Sequence, residues 1–199
     1  MTGAWPITVK RTLGIATLHP PWYSAMAQSM VMSLLTRMYH VTGNKTYLES
    51  AKRGVEIYQV NSTDNGIRAY FMDKYVWFEE YPTNPHSFVL NGFIYGIFGL
   101  YDVYMSCNDP ICQTAGKLFN ESLISLRAMI PLFDGGFMSY YDLRHFTMKT
   151  SPNLARWDYH TVHIDQLLLI HKSFDPYKLF KVTAQRWIGY MSGYRAHHN

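Results

Sequence analysis

The stretch Ser87–Tyr104, SFVLNGFIYGIFGLYDVY, decides how this chain is read. Asp102 is its one charged residue, and apolar side chains fall on every side of a 3.6-residue period. A helix without a polar face has to be buried on most sides, so the rest of the chain must supply elements that cover it. Downstream, Cys107-Asn-Asp-Pro-Ile-Cys112 forms a loop, and a second helix is predicted from about Gln113 to Leu132, ended by Gly135-Gly136. Phe137–Phe146 then reads as extended. Upstream, Ile67–Tyr81 alternates enough for a β-hairpin or two short strands. Two helices precede it. One is capped by Ser24, runs to about His40 and stops at Gly43; the other covers about Lys45 to Val60 and closes at Asn65-Gly66. Toward the C-terminus a helix from Tyr159 or His160 to Lys172 is followed by a partner from Pro176 to about Met191.

The repeating unit is therefore helix, turn, helix, extended aromatic segment. Its helix starts, Ser24, Ser87 and His160, lie about 63 and then about 73 residues apart. Such hairpins stack side by side and curve into an arc with the loops gathered at one rim. The expected fold is all-α: an incomplete (α/α) barrel or toroid of helical hairpins with short β-hairpin or extended segments between repeats. Residues 1–22 are punctuated by Gly3, Pro6, Gly14, Pro20 and Pro21 and read as an extended lead-in carrying Lys10-Arg11. Residues 23–199 form the helical domain.

With 48% hydrophobic and 16% charged residues, the 199-residue chain has the composition of an ordered core and not of a disordered segment. Sixteen Tyr, eleven Phe and five Trp suit stacking on sugars or burying large helix faces. A net charge of +4, with nine His in reserve, favours an anionic partner. There is no Lys/Arg stripe of the kind that binds nucleic acid. No apolar run is long enough for a transmembrane helix or signal peptide. Sequons occur at Asn44-Lys45-Thr46, Asn61-Ser62-Thr63 and Asn120-Glu121-Ser122. Cys107 and Cys112 read equally as a local disulfide and as two free thiols; a bridge would lean toward a secretory lumen.

Chemistry concentrates in three aromatic-and-charged clusters: Trp77–Pro82, Tyr140–His145 and Ser151–His163. Repeat phase brings Glu80, Tyr81, Tyr141, Arg144, Arg156 and Tyr159 to one rim. Phosphate cradles, zinc-protease and serine-hydrolase motifs and redox C-x-x-C pairs are absent from the sequence. A phenol serves as a base near neutral pH only when a cation lowers its pKa from about 10. Tyr141 with Arg144 and Tyr159 with Arg156 have the spacing for that. Arginine also grips a carboxylate through two parallel hydrogen bonds. A base beside such a clamp suits removal of a proton next to a carboxylate.

The runs Trp22–Gln28 (WYSAMAQ), Trp77–Asp102 (WFEEYPTNPHSFVLNGFIYGIFGLYD), Tyr140–Phe146 (YYDLRHF) and Ser151–Leu167 (SPNLARWDYHTVHIDQL) resemble the D-glucuronyl C5-epimerases of heparan sulfate and heparin biosynthesis. The resemblance extends from about Trp5 to the C-terminal RAHHN. It implies an isomerase that inverts C5 of D-glucuronate to L-iduronate in an N-sulfated polysaccharide, with no redox cofactor. It implies an (α/α) C-terminal domain of a longer, membrane-anchored Golgi protein, with no anchor within this chain. The family's calcium belongs to the β-rich part that precedes this domain, so no metal is expected here. The family's cleft also takes tyrosines from that part, so this segment alone is expected to bind the polysaccharide but turn it over poorly. The expected partners are the anionic polysaccharide, a second copy of the chain and other enzymes of the same biosynthesis, and not nucleic acid.

Position by position, the resemblance implies catalytic roles for Glu80, Tyr81 and Tyr159. It implies substrate contacts for Lys10, Arg11, Asn91, Tyr95, Tyr141, Arg144 and the run from Asn153 through Arg156, Trp157, Asp158 and His160. Other readings stand beside these. Glu80 alone reads as a surface ion pair, and Tyr95 equally as plain core. Asn91 inside a buried helix is costly without partners and better reaches a cleft. Asp158 orients Arg156, Trp157 either stacks on a sugar or wedges the loop, and His160 lends support from behind. His145 and His163 are read as structural. A polysaccharide lyase begins with the same proton abstraction, and a polyanion-binding module would keep the basic groove without turnover.

Overall fold

The computed structural model describes residues 3–14, 16–174 and 178–197. Among them, helices predominate: α1 (Ala25–Thr42), α2 (Lys45–Arg53), α3 (Leu90–Ser106), α4 (Pro110–Met129), α5 (Arg144–Thr147), α6 (Trp157–Phe174) and α7 (Leu179–Met191). Two antiparallel two-stranded sheets join them: β1 (Arg11–Leu13) with β2 (Ala16–Leu18), and β3 (Arg68–Phe71) with β4 (Tyr75–Phe78). The chain divides into two compact units. One takes in the residues up to Phe88 together with Gly92–Ser125; the other joins Val89–Asn91 to the residues from Leu126 onward.

In the first unit α1 begins where the Ser24 hydroxyl accepts a hydrogen bond from Ala27 N, and it ends at Gly43, whose φ of 69° is left-handed. Both boundaries follow from capping chemistry. Within α3, Phe93, Ile94, Ile97, Leu100 and Val103 are fully buried, as its uniformly apolar sequence requires. Glycine lets α1 and α3 approach closely. A Cβ on Gly99 would lie 2.5 Å from Ser29 O, and one on Gly96 3.1 Å from the Ala25 side chain. Across this contact Gly99 N donates to Ser29 Oγ (2.7 Å) and Ser29 Oγ donates to Tyr95 O (2.5 Å). The Tyr58 hydroxyl, fully buried, meets Ala25 O and Gly96 O at 3.1 and 2.8 Å. The Cys107–Cys112 disulfide spans the turn from α3 to α4. Asp109 in that turn accepts hydrogen bonds from Ile111 N and Cys112 N and pairs with Lys52 of α2 at 2.5 Å.

In the second unit α6 and α7 pack as a hairpin. Trp187 and Phe180 of α7 and Leu167 and Ile170 of α6 are fully buried. Asp134, in the turn after α4, receives Arg186 Nε (2.7 Å) and the Tyr190 hydroxyl (2.9 Å), which anchors α7 to that turn.

The structure corrects several sequence expectations. Residues within 1–22 are not merely extended: β1 and β2 pair around Gly14, whose φ is 58°, and Ile7 bridges Trp22. The helix expected over Lys45–Val60 stops at Arg53, and a 3-10 turn follows at Glu56–Gln59. At Gly54 a Cβ would sit 2.7 Å from Trp5 and 2.9 Å from Met32, so packing rather than periodicity sets that boundary. The helix expected from Phe88 begins at Leu90, because Phe88 takes φ 54°. The next one starts earlier than Gln113, at Pro110, and turns into a 3-10 segment at Ile130, where Pro131 follows. Phe137–Phe146 is held by single bridges, Asp134 to Ser139 and Tyr140 to Leu154, and passes into α5 instead of forming a strand. α6 begins two residues before Tyr159, at Trp157. The expected start of the last helix, Pro176, lies outside the described residues.

Candidate active site

β4 leads directly into Glu79 and Glu80, both buried. Glu79 is consumed by the fold. Its buried carboxylate accepts hydrogen bonds from Phe88 N (3.2 and 3.3 Å) and the Ser87 hydroxyl (3.2 Å), and its backbone joins Ala25 N and Ile67 O. Those bonds hold Phe88 in a left-handed conformation that a bulky residue rarely adopts. Glu80 is only 3% exposed, yet its Oε2 has no hydrogen-bond partner among the described residues. Such burial rules out the surface ion pair. It also pushes the Glu80 carboxyl above its usual range, against the pull of a Tyr81 hydrogen bond and the Arg11 charge. Helix α3 lies hard against it: a Cβ on Gly92 would come within 2.2 Å of Glu80 Oε2. Tyr81 has two neighbours from the N-terminal segment. The Arg11 guanidinium lies 5.6 Å from the ring centroid and the Trp22 ring 6.1 Å away. Trp22 is itself fixed by its indole N–H donating to Val9 O at 2.9 Å. Lys10 is exposed beside Arg11.

A second set assembles in the other unit. Tyr141 and Tyr159 meet edge to face with ring centroids 5.0 Å apart. Arg156 lies over the Tyr159 ring at 5.4 Å and pairs with Asp158 at 3.0 Å. Arg144 is gripped by Asp142, which is fully buried: its Nε sits 2.9 and 2.8 Å from the two carboxylate oxygens and its terminal nitrogen 2.5 Å from Oδ2. Asn153 Nδ2 donates to the same carboxylate at 2.7 Å, and Tyr141 N donates to Asn153 O. The segment carrying Tyr141 is thus stitched to the one leading into α6. Trp157 is 69% exposed at the start of α6 and free to stack. Asn91 is buried, with its backbone carbonyl accepting from Gln166 Nε2 (3.0 Å) and its side-chain Oδ1 without a hydrogen-bond partner among the described residues. Tyr95 is half-buried beside Phe98.

His160 is fully buried behind Tyr159. Its Nδ1 accepts from Ser139 N (3.1 Å), which leaves the proton on Nε2 to donate to Trp187 O (3.0 Å). The Ser139 hydroxyl also lies 2.8 Å from Nδ1 of both His160 and His163. Burial, helped by the His160 neighbour, drops His163 to about 3, so it is neutral. Both rings brace the first turn of α6. Sequence reading passed over Trp22, Gly92, Asp142 and Ser139. Only Asp142 left a signal, lying between Tyr141 and Arg144. The one metal-type cluster among the described residues, Cys107, Asp109 and Cys112, has its sulfurs joined in the disulfide.

These features define a helical-hairpin protein with two tyrosine–arginine clusters, one holding a desolvated carboxyl. The family model of the D-glucuronyl C5-epimerase C-terminus matches residues 1–189, and the chain belongs to that family. It is 42% identical to a D-glucuronyl C5-epimerase of Caenorhabditis elegans over 99% of its own length and 33% of that protein. It is also 32% identical to an uncharacterised protein of Methanocaldococcus jannaschii over 68% of its length and 44% of that protein. The chain thus spans less than half the length of these curated relatives. A solved polysaccharide lyase shares the fold at 17% identity, with a TM-score of 0.53 over 86% of this chain and 48% of that one.

Proposed function

We propose that the chain supplies the helical part of an epimerase that inverts C5 of D-glucuronate to L-iduronate in an N-sulfated, heparan-type polysaccharide. The observation that carries this reading is Glu80, a buried carboxyl raised above its usual range by desolvation, with an oxygen that has no hydrogen-bond partner among the described residues. A base of that kind suits abstraction of a proton next to a carboxylate. Glu80 and Tyr159 serve opposite faces of C5, and Tyr81 assists Glu80. One removes the C5 proton, the C–H electron pair moves toward the substrate carboxylate, and the other returns a proton to the opposite face. The charge that builds on the carboxylate oxygens calls for a cation. Arg11 and Arg156 are the exposed arginines of the two clusters, whereas Arg144 is already committed to Asp142. Lys10, Tyr95, Asn91, Asn153 and Trp157 contribute saccharide contacts.

The helical hairpins form an incomplete (α/α) toroid, a reading supported by the likeness to the lyase fold. The protein works in the Golgi lumen, which the disulfide supports. No helix among the described residues is long and apolar enough to cross a membrane.

The test is C5 exchange in deuterated solvent with the full-length protein. Glu80→Gln and Tyr159→Phe should each lower net epimerisation by on the order of 100- to 10,000-fold. Each should still exchange the proton of one epimer. Equal exchange of both epimers by both variants would refute the two-face assignment. An unsaturated, ultraviolet-absorbing product would show lyase chemistry instead.

A further inference from the structure

We propose that Asn44 and Asn61 are N-glycan acceptors. Two independent observations converge. Both asparagines stand in Asn-x-Thr triplets, and both are exposed in turns, Asn44 between α1 and α2 and Asn61 at the start of a short 3-10 segment. The Cys107–Cys112 disulfide marks a chain that folds in an oxidising compartment, where such transfer takes place.

The local chemistry is compatible with the modification. In the transfer the asparagine Nδ2 bonds to the anomeric carbon of a lipid-diphosphate-linked oligosaccharide. The sugar's bond to the diphosphate oxygen breaks, the lipid diphosphate leaves with that electron pair, and one amide proton is released. Oδ1 is untouched. At Asn44 that oxygen caps α2 by accepting from Thr46 N at 3.0 Å, so the glycan and the helix cap coexist. At Asn61 the side chain makes no capping bond, and the turn is held by its backbone carbonyl, which accepts from Asp64 N (2.9 Å) and Gly66 N (2.8 Å). The third triplet differs. Asn120 is exposed in the middle of α4, and Ser122 is fully buried with its hydroxyl donating to Leu118 O at 2.7 Å. The proposal does not extend to it.

The inference rests on the luminal residence proposed above and is independent of the epimerase chemistry. The test expresses the full-length protein through the secretory pathway of cultured insect cells. Peptides are then released by peptide N-glycosidase in oxygen-18 water, which converts glycosylated asparagine to labelled aspartate. Labelled aspartate is expected at positions 44 and 61, together with a bridged Cys107–Cys112 peptide before reduction. Thr46→Ala and Thr63→Ala keep both asparagines and should each abolish the label at its own site, with epimerase activity unchanged. Unlabelled Asn44 or Asn61 in the secreted protein would overturn the assignment at that site. Free thiols at Cys107 and Cys112 would overturn the argument from compartment. Loss of epimerisation with the glycans in place would count against the catalytic reading alone.

Discussion

Gly92→Ala probes how Glu80 is held, and its two effects can be sized separately. The added methyl would start 2.2 Å from Glu80 Oε2 and 2.4 Å from its Cβ. Ordinary contact begins near 3.4 Å, so the carboxylate has to move by about 1.2 Å, a shift in the range where misplacement costs about 100-fold in rate. Overpacking of a buried site costs about 1–3 kcal/mol, and the better helix propensity of alanine returns about 1 kcal/mol. Net destabilisation should therefore be at most about 2 kcal/mol, or a fall in Tm of no more than about 8 °C. The assay is the initial rate of C5 deuterium incorporation, alongside thermal unfolding. Gly116→Ala provides the control: its methyl would meet the Tyr104 ring at 2.5 Å, away from Glu80. That variant should lose comparable stability and keep its rate. Should Gly92→Ala exchange deuterium at the wild-type rate, the carboxylate is not positioned by α3 and the reasoning fails.

Three further outcomes are expected. Asp142→Ala strands Arg144 and frees Asn153, and should destabilise the protein by about 3–5 kcal/mol in denaturant titration. Converting Cys107 and Cys112 together to serine should lower stability by about 2 kcal/mol by the loop-entropy relation, with an unchanged helical circular-dichroism spectrum. His163 is neutral in the folded state, with its pKa dropped to about 3 from an unfolded value near 6.5. The unfolded chain therefore binds more protons between those values. Its contribution is fully present above pH 6.5 and is lost as pH falls toward 3, at about 1.4 kcal/mol per pH unit. His160, lowered mainly by burial, acts in the same direction. Unfolding free energies that stay flat from pH 6.5 to 5 would contradict this assignment.

Sequence alone determined the helical character of the chain, the pairing of α1 with α2 and of α6 with α7, and several boundaries. The uniformly apolar Ser87–Tyr104 stretch required a buried helix, and the structure buries Phe93, Ile94 and Ile97 completely. Ser24 and Gly43 marked the ends of α1 because capping is local chemistry, written within a few residues of the boundary. The meeting of Tyr141 with Tyr159 was foreshadowed by their place in successive aromatic clusters. Tertiary structure decided what each ionisable group is free to do. Nothing in the pair Glu79-Glu80 tells that the first is spent on Phe88 and Ser87 while the second keeps an unpartnered oxygen against Gly92. Arg144 and Arg156 read alike in sequence, yet Asp142 captures one and leaves the other exposed over Tyr159. The reason is physical: period and caps depend on neighbours along the chain, whereas desolvation and charge pairing depend on atoms that only packing brings within a few ångströms.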